Sequence, residues 1–92
     1  MPVEFTASAG KHGFELADAV NAMLNHVDKV ESFDEPRAPS RTRPDLYIGP
    51  ARNRILIEVM VVRNPPSGLT VFHCMRARRK ILDLVDDLRR TW

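Results

Sequence analysis

The stretch RILIEVMVVR, residues 54–63, limits the fold more than any other. From Ile55 to Val62 every residue but Glu58 is apolar, and most are β-branched, the type that suits a pleated strand. Successive side chains of a strand point to opposite faces, so this strand is apolar on both. A strand of that kind belongs at the centre of a sheet. In a chain of 92 residues that means one sheet in one domain, spanning 1–92.

The rest of the chain is arranged around that strand. Residues 3–12 read as a strand-like start and a short helix, with Thr6 or Ser8 as N-cap, and Gly13 as helix terminator or break. From Phe14 the spacing is helical. Leu16, Val20, Met23, Leu24 and Val27 form one apolar stripe. DKVESF is a short strand, DLYIG a second and LTVFHCM another. In LTVFHCM, Leu69, Val71, His73 and Met75 share a face and Cys74 points the other way, into the core. Residues 34–44, rich in Pro and Arg, read as an exposed loop, and NPPSG as a turn. A closing helix is expected from about Arg76 to Arg90, with Ile81, Leu82, Leu84, Val85 and Leu88 on its apolar side. The fold class is therefore α+β: N-terminal helices, about four mostly antiparallel strands, and a C-terminal helix.

Charge is distributed unevenly. Residues 1–36 carry two cations against seven acids, a balance of −5; residues 37–80 carry ten cations against two acids, +8; residues 81–92 stand at −1. Nine of the ten cations in the middle segment are arginine, whose planar fork suits phosphate. That segment implies an anionic partner such as RNA, DNA or an acidic protein segment; the plainer reading is an Arg-rich solvated surface. The start of the closing helix sharpens the question. Arg76, Arg78, Arg79 and Lys80 stand where the helix dipole favours negative charge, and Asp83, Asp86 and Asp87 follow them.

Several classes are excluded or disfavoured. No apolar run approaches the ~20 residues that span a bilayer, and MPVEFTASAG lacks the pattern of a secretory leader, so the expected location is the cytoplasm. One cysteine forms no internal disulfide. Three scattered histidines do not supply ligand spacing, so no metal and no cofactor are expected. No Gly-rich phosphate loop is present.

Four segments in order, Lys11-His12-Gly13, Leu46-Tyr47-Ile48-Gly49, Arg54-Ile55-Leu56-Ile57-Glu58-Val59 and His73 through Lys80, resemble the BrnT-type toxins of the RelE/ParE superfamily, in an actinobacterial-type form. The resemblance covers roughly residues 9–90. It implies a metal-independent endoribonuclease, acting on free or ribosome-bound mRNA and neutralised by a cognate antitoxin, with a homodimer or a heterotetramer as the assembly. The 2′-hydroxyl would attack the adjacent phosphodiester, which calls for a proton acceptor, cations around the phosphorane and a proton donor for the 5′ oxygen. In this chain Cys74-Met75-Arg76 stand at the junction where many of those toxins have a serine, and the Glu of their closing helix is absent. That departure favours a second reading, a module that binds RNA or protein without cleaving. Inhibition of a topoisomerase through protein contacts, in the manner of ParE, is a third.

The residues that could carry the chemistry are few. His73 is the natural proton carrier, since an imidazole ordinarily titrates near ~6.5; its alternation with Leu69, Val71 and Met75 fits a core or edge histidine equally well. Lys11 and His12 form a second pair, or His12 only caps the first helix. Glu58 is a general base or the buried partner of an arginine. Arg76 and Arg78 would hold the scissile phosphate, and Arg52, Arg54, Arg79, Lys80 and Tyr47 would bind the flanking RNA. His26 reads as a surface residue.

Overall fold

The computed structural model describes residues 3–33, 43–64 and 66–90. Their order is β1 (Val3–Phe5), α1 (Ala7–Gly10), α2 (Leu16–Leu24), β2 (Asp28–Val30), β3 (Asp45–Pro50), β4 (Leu56–Asn64), β5 (Gly68–Arg76) and α3 (Arg79–Arg90). The fold is α+β. The strands form one sheet in the order β1-β5-β4-β3-β2, so β4 is the central strand that its two apolar faces require. β2 through β5 pair antiparallel, and β1 runs parallel to β5 with Val3 opposite Leu69. The sheet thus has five strands and is mixed, where about four mostly antiparallel strands were expected. Three residues are too few for β1 to show a pattern of its own; it forms because β5 offers a free edge.

Helices cover both faces. Ala9 of α1 and Ala19 and Ala22 of α2 pack with Ile57, Val59, Val61, Val71 and Cys74. Ile81 and Val85 of α3 pack with Leu46, Ile48 and Met60 on the opposite face. Cys74 is core, as expected, and burial pushes its thiol up to about 11.

α2 does not bury the expected stripe. Ala19 and Ala22 are buried, whereas Leu16 is 36%, Leu24 78% and Val27 59% exposed. The reason is close approach: a Cβ on Gly49 of β3 would collide with the Ala22 carbonyl. A helix lying that near a strand must turn its small residues inward. Val27 lies beyond the helix, its N–H donating to the Ile48 carbonyl.

Two boundaries also move. α3 begins at Arg79, because Arg76 still belongs to β5, opposite Ile57. Pro44, at the end of the expected exposed loop, is fully buried, and its carbonyl accepts the Phe33 N–H. Residues 34–42 of that loop lie outside the described residues. Among the described residues no helix is long and apolar enough to cross a membrane.

A bulge in β5 positions the site. Met60 of β4 lies opposite His73, but the next residue, Val61, lies opposite Val71. Phe72 is the extra residue, and an extra residue reverses the alternation of side chains beyond it. Leu69 and Val71 therefore face α1 and α2, while His73 and Met75 face α3. This corrects the single face expected for Leu69, Val71, His73 and Met75. The Ser8 hydroxyl of α1 donates to the Phe72 carbonyl at 3.0 Å, fastening α1 to the bulge.

Candidate functional site

Glu58 is the centre of the site. It lies in the middle of β4, on the α3 face, with its side chain 0% exposed. Four bonds converge on its two oxygens. Oε1 accepts the Arg78 main-chain N–H at 2.9 Å and Arg78 Nε–H at 3.0 Å. Oε2 accepts Arg78 Nη2–H at 2.7 Å and lies 2.8 Å from His73 Nε2. Burial alone would raise the Glu58 carboxyl. The bonds from His73 and Arg78 outweigh it and hold the group at about 2, against 4.5 for a free glutamate. Glu58 is thus a carboxylate and only an acceptor, so His73 Nε2 carries a hydrogen and donates it. That leaves His73 Nδ1 as the nitrogen free to accept.

The same carboxylate resolves the misplaced charge at the start of α3. Arg78 is the residue whose carbonyl accepts the first helical bonds, from the N–H groups of Ile81 and Leu82. The first turn contains no acid of its own. Glu58 supplies the negative charge from the sheet and binds the Arg78 N–H. The cations of the junction therefore diverge. Arg78 turns back to Glu58, and its pKa is raised by that hydrogen bond. Arg79 lies on the helix surface, 3.4 Å from Asp83 one turn on. Arg76, two residues after Cys74, falls on the α1–α2 face of β5 and is exposed. Arg76, Arg78 and Arg79 consequently do not form one phosphate cradle.

His12 completes the site. The turn after α1 carries it to the edge of β5, where its ring centroid is 6.4 Å from that of His73, edge to face. His12 and Lys11 are exposed, and the His73 side chain is 22% exposed. The fork of Arg78 spends Nε–H and one Nη2 hydrogen on Glu58, leaving three N–H donors on a guanidinium fixed in place and 35% exposed. Two imidazoles, one oriented by a carboxylate, and an anchored guanidinium are thus gathered where β5 meets α3.

The other expected RNA-binding residues lie elsewhere. Arg52 is held by Asp18 through its main-chain N–H at 3.1 Å and its Nε–H at 3.0 Å, and by Glu15 at 3.2 Å. The Arg52 bond in turn lowers the Asp18 carboxyl, against the upward push of burial. Arg54 occupies the β3–β4 hairpin, not the start of β4, with φ at 73°. Lys80 is exposed in the first turn of α3. Tyr47 is half-buried on the α1–α2 face, with His26 5.4 Å away and Lys29 Nζ 5.2 Å from its ring. It lies on the opposite face from Glu58 and two strands from β5, so it does not join the histidines. His26 is exposed, as expected, and its Nδ1–H donates to the Met23 carbonyl.

The sequence reading missed the approach of His12 to His73, which depends on a parallel strand, a one-turn helix and a bulge. It also missed the role of Asp18; its signal is an acid on the same helix face as Ala19 and Ala22. Among the described residues no group of three or more His, Cys, Asp or Glu is placed to hold a metal ion. Fold and site together define an α+β domain with a carboxylate-anchored imidazole–guanidinium cluster at one sheet edge. No known protein family, curated protein or solved structure matches the chain.

Proposed function

We propose that this chain is a metal-independent endoribonuclease, a toxin of the BrnT kind acting in the cytoplasm. The observation that carries this reading is the His12–His73 pair, 6.4 Å apart, with His73 oriented by Glu58. One imidazole removes the proton of an RNA 2′-hydroxyl. The O2′–P bond forms, the P–O5′ bond breaks, and the other imidazole protonates the departing 5′ oxygen. The products are a 2′,3′-cyclic phosphate and a 5′-hydroxyl. Holding both proton carriers against one phosphodiester contributes proximity and general acid–base catalysis together. Arg78 offers its free N–H groups to the phosphorane charge. Glu58 is a positioning residue and not the base, since both its oxygens are occupied and water does not reach it.

Lys11, Arg54, Arg76 and Lys80 are exposed cations that can track an RNA backbone on either side of the pair. An antitoxin with an acidic segment would cover the same cations. The experiment is to induce the protein alone, as wild type and as His73→Ala, and to map RNA 5′ ends by primer extension. Growth arrest with discrete new ends, lost in His73→Ala, is expected. Healthy growth and intact RNA from folded wild-type protein would leave the exposed cations as a binding surface without chemistry.

A further inference from the structure

We infer that His12 and His73 together form a zinc site, and that zinc bound there switches the proposed cleavage off. That zinc inhibits rests on the nuclease reading; that it binds does not. The two histidines lie far apart in the sequence, and only the fold sets their ring centres 6.4 Å apart, edge to face. A zinc ion stands ~2.0–2.1 Å from each ligating nitrogen, so the centres of two rings on one ion are roughly 5–6 Å apart. His12 is exposed in the turn after α1, and exposed side chains change rotamer within nanoseconds. An inward swing of about 1 Å brings the pair into the range of a shared ion.

His73 is prepared as a ligand. A histidine that holds a metal through one ring nitrogen almost always donates the N–H of the other to a carboxylate, a carbonyl or water, which fixes its tautomer and ring orientation. His73 donates Nε2–H to Glu58 Oε2 at 2.8 Å, and its Nδ1 is left with a lone pair. The charge of Arg78 is already matched by Glu58, so it does not repel an incoming ion as a free cation would. Imidazole suits zinc, whereas magnesium takes oxygen ligands and keeps its waters. Among the described residues no third His, Cys, Asp or Glu is placed to join the pair. Water therefore fills the other positions, and the ion is held more weakly than in a closed structural site. Zinc on Nδ1 takes the electron pair that would accept the 2′-hydroxyl proton, and zinc on His12 takes the second proton carrier. The pair cannot hold the ion and move protons at once.

Calorimetric titration of the untagged full chain with zinc chloride, from ~1 μM to ~1 mM, tests the site, with the histidine ring NMR signals followed in parallel. One zinc per chain is expected, with the His12 and His73 signals moving together and no response to magnesium chloride. His12→Ala and His73→Ala should each weaken binding by about tenfold or more. His26→Ala, whose ring lies beside Tyr47 instead, should leave binding unchanged. Cys74 is buried and its thiol is pushed up to about 11, so it does not compete. In a cleavage assay, RNA cutting should fall as the site fills and return when chelator is added. Binding that survives either of the first two variants, binding lost equally in His26→Ala, or no binding up to ~1 mM would overturn the site. Cleavage undiminished or quickened at saturating zinc would overturn the inhibition. A chain that binds zinc as expected yet cuts no RNA even in chelator would sink the nuclease reading, and the inhibition with it, while the site stands.

Discussion

Glu58 and Asp18 hold their arginines in the same way. Each accepts the arginine's main-chain N–H and Nε–H on one oxygen and faces Nη2 with the other, at 2.7 Å in the Glu58 pair and 3.5 Å in the Asp18 pair. Their settings differ. Glu58 is sealed in the central strand, receives a fourth bond from His73, and fixes the start of α3. Asp18 sits in the first turn of α2, accepts the Glu15 N–H at 2.9 Å, and holds an arginine whose side chain is 52% exposed. Depth decides what each clamp contributes. A carboxylate that water cannot reach loses everything when its partners go, while one at the surface regains part from solvent. The buried clamp orients a histidine; the shallow one ties the β3–β4 hairpin to a helix end.

Removing the carboxylates should separate the two most widely. Glu58→Ala is expected to cost about 3 kcal/mol, because it strands Arg78 and His73 and leaves a cavity in the sheet. Urea unfolding measures it, and equality with Asp18→Ala would break the comparison. Acid probes the same carboxylate. The Glu58 carboxyl falls from 4.5 to about 2 on folding, so its contribution is complete above pH 4.5 and lost as pH falls toward 2, about 3 kcal/mol in all. Unfolding free energies between pH 5 and 2 should drop steeply in wild type and in Asp18→Asn, and much less in Glu58→Gln.

Smaller effects sharpen the contrast. Asp18→Ala should cost about 1–2 kcal/mol, the range for a lost helix cap, again by urea unfolding. Arg54→Gly should gain up to about 1 kcal/mol, since φ of 73° suits glycine, while weakening RNA binding in a filter assay. Such opposite signs would mark Arg54 as kept for contact and not for stability. Arg52→Ala should lower the melting temperature less than Asp18→Ala does, because the arginine of the shallow clamp is half in solvent.

The sequence reading succeeded where a signal was local and repeated. The two-faced apolar run of β4 located the centre of the sheet, Thr6 proved to be the cap of α1, and Glu58 proved to be the buried partner of an arginine. It failed where geometry depends on residues far apart. Leu16, Leu24 and Val27 look like a core stripe, but Gly49, 27 residues after Ala22 in the chain, lets Ala22 come closest. The bulge at Phe72 is one residue in an unbroken apolar run, and alternation alone sends His73 to the wrong face. Arg76, Arg78 and Arg79 look like one cluster in sequence, yet a strand end and a helix start turn them three ways.

The central claim is that a glutamate-oriented histidine, paired with His12, moves the proton of an RNA 2′-hydroxyl. Its most direct test is incubation of the purified protein, in excess chelator, with an end-labelled RNA and with the same strand carrying 2′-deoxyribose at the cleaved position. The account predicts cleavage of the RNA to a 2′,3′-cyclic phosphate, an intact deoxy-substituted strand, and loss of cleavage in both His12→Ala and His73→Ala. Equal cleavage of the deoxy-substituted strand, or full activity without His73, would contradict it.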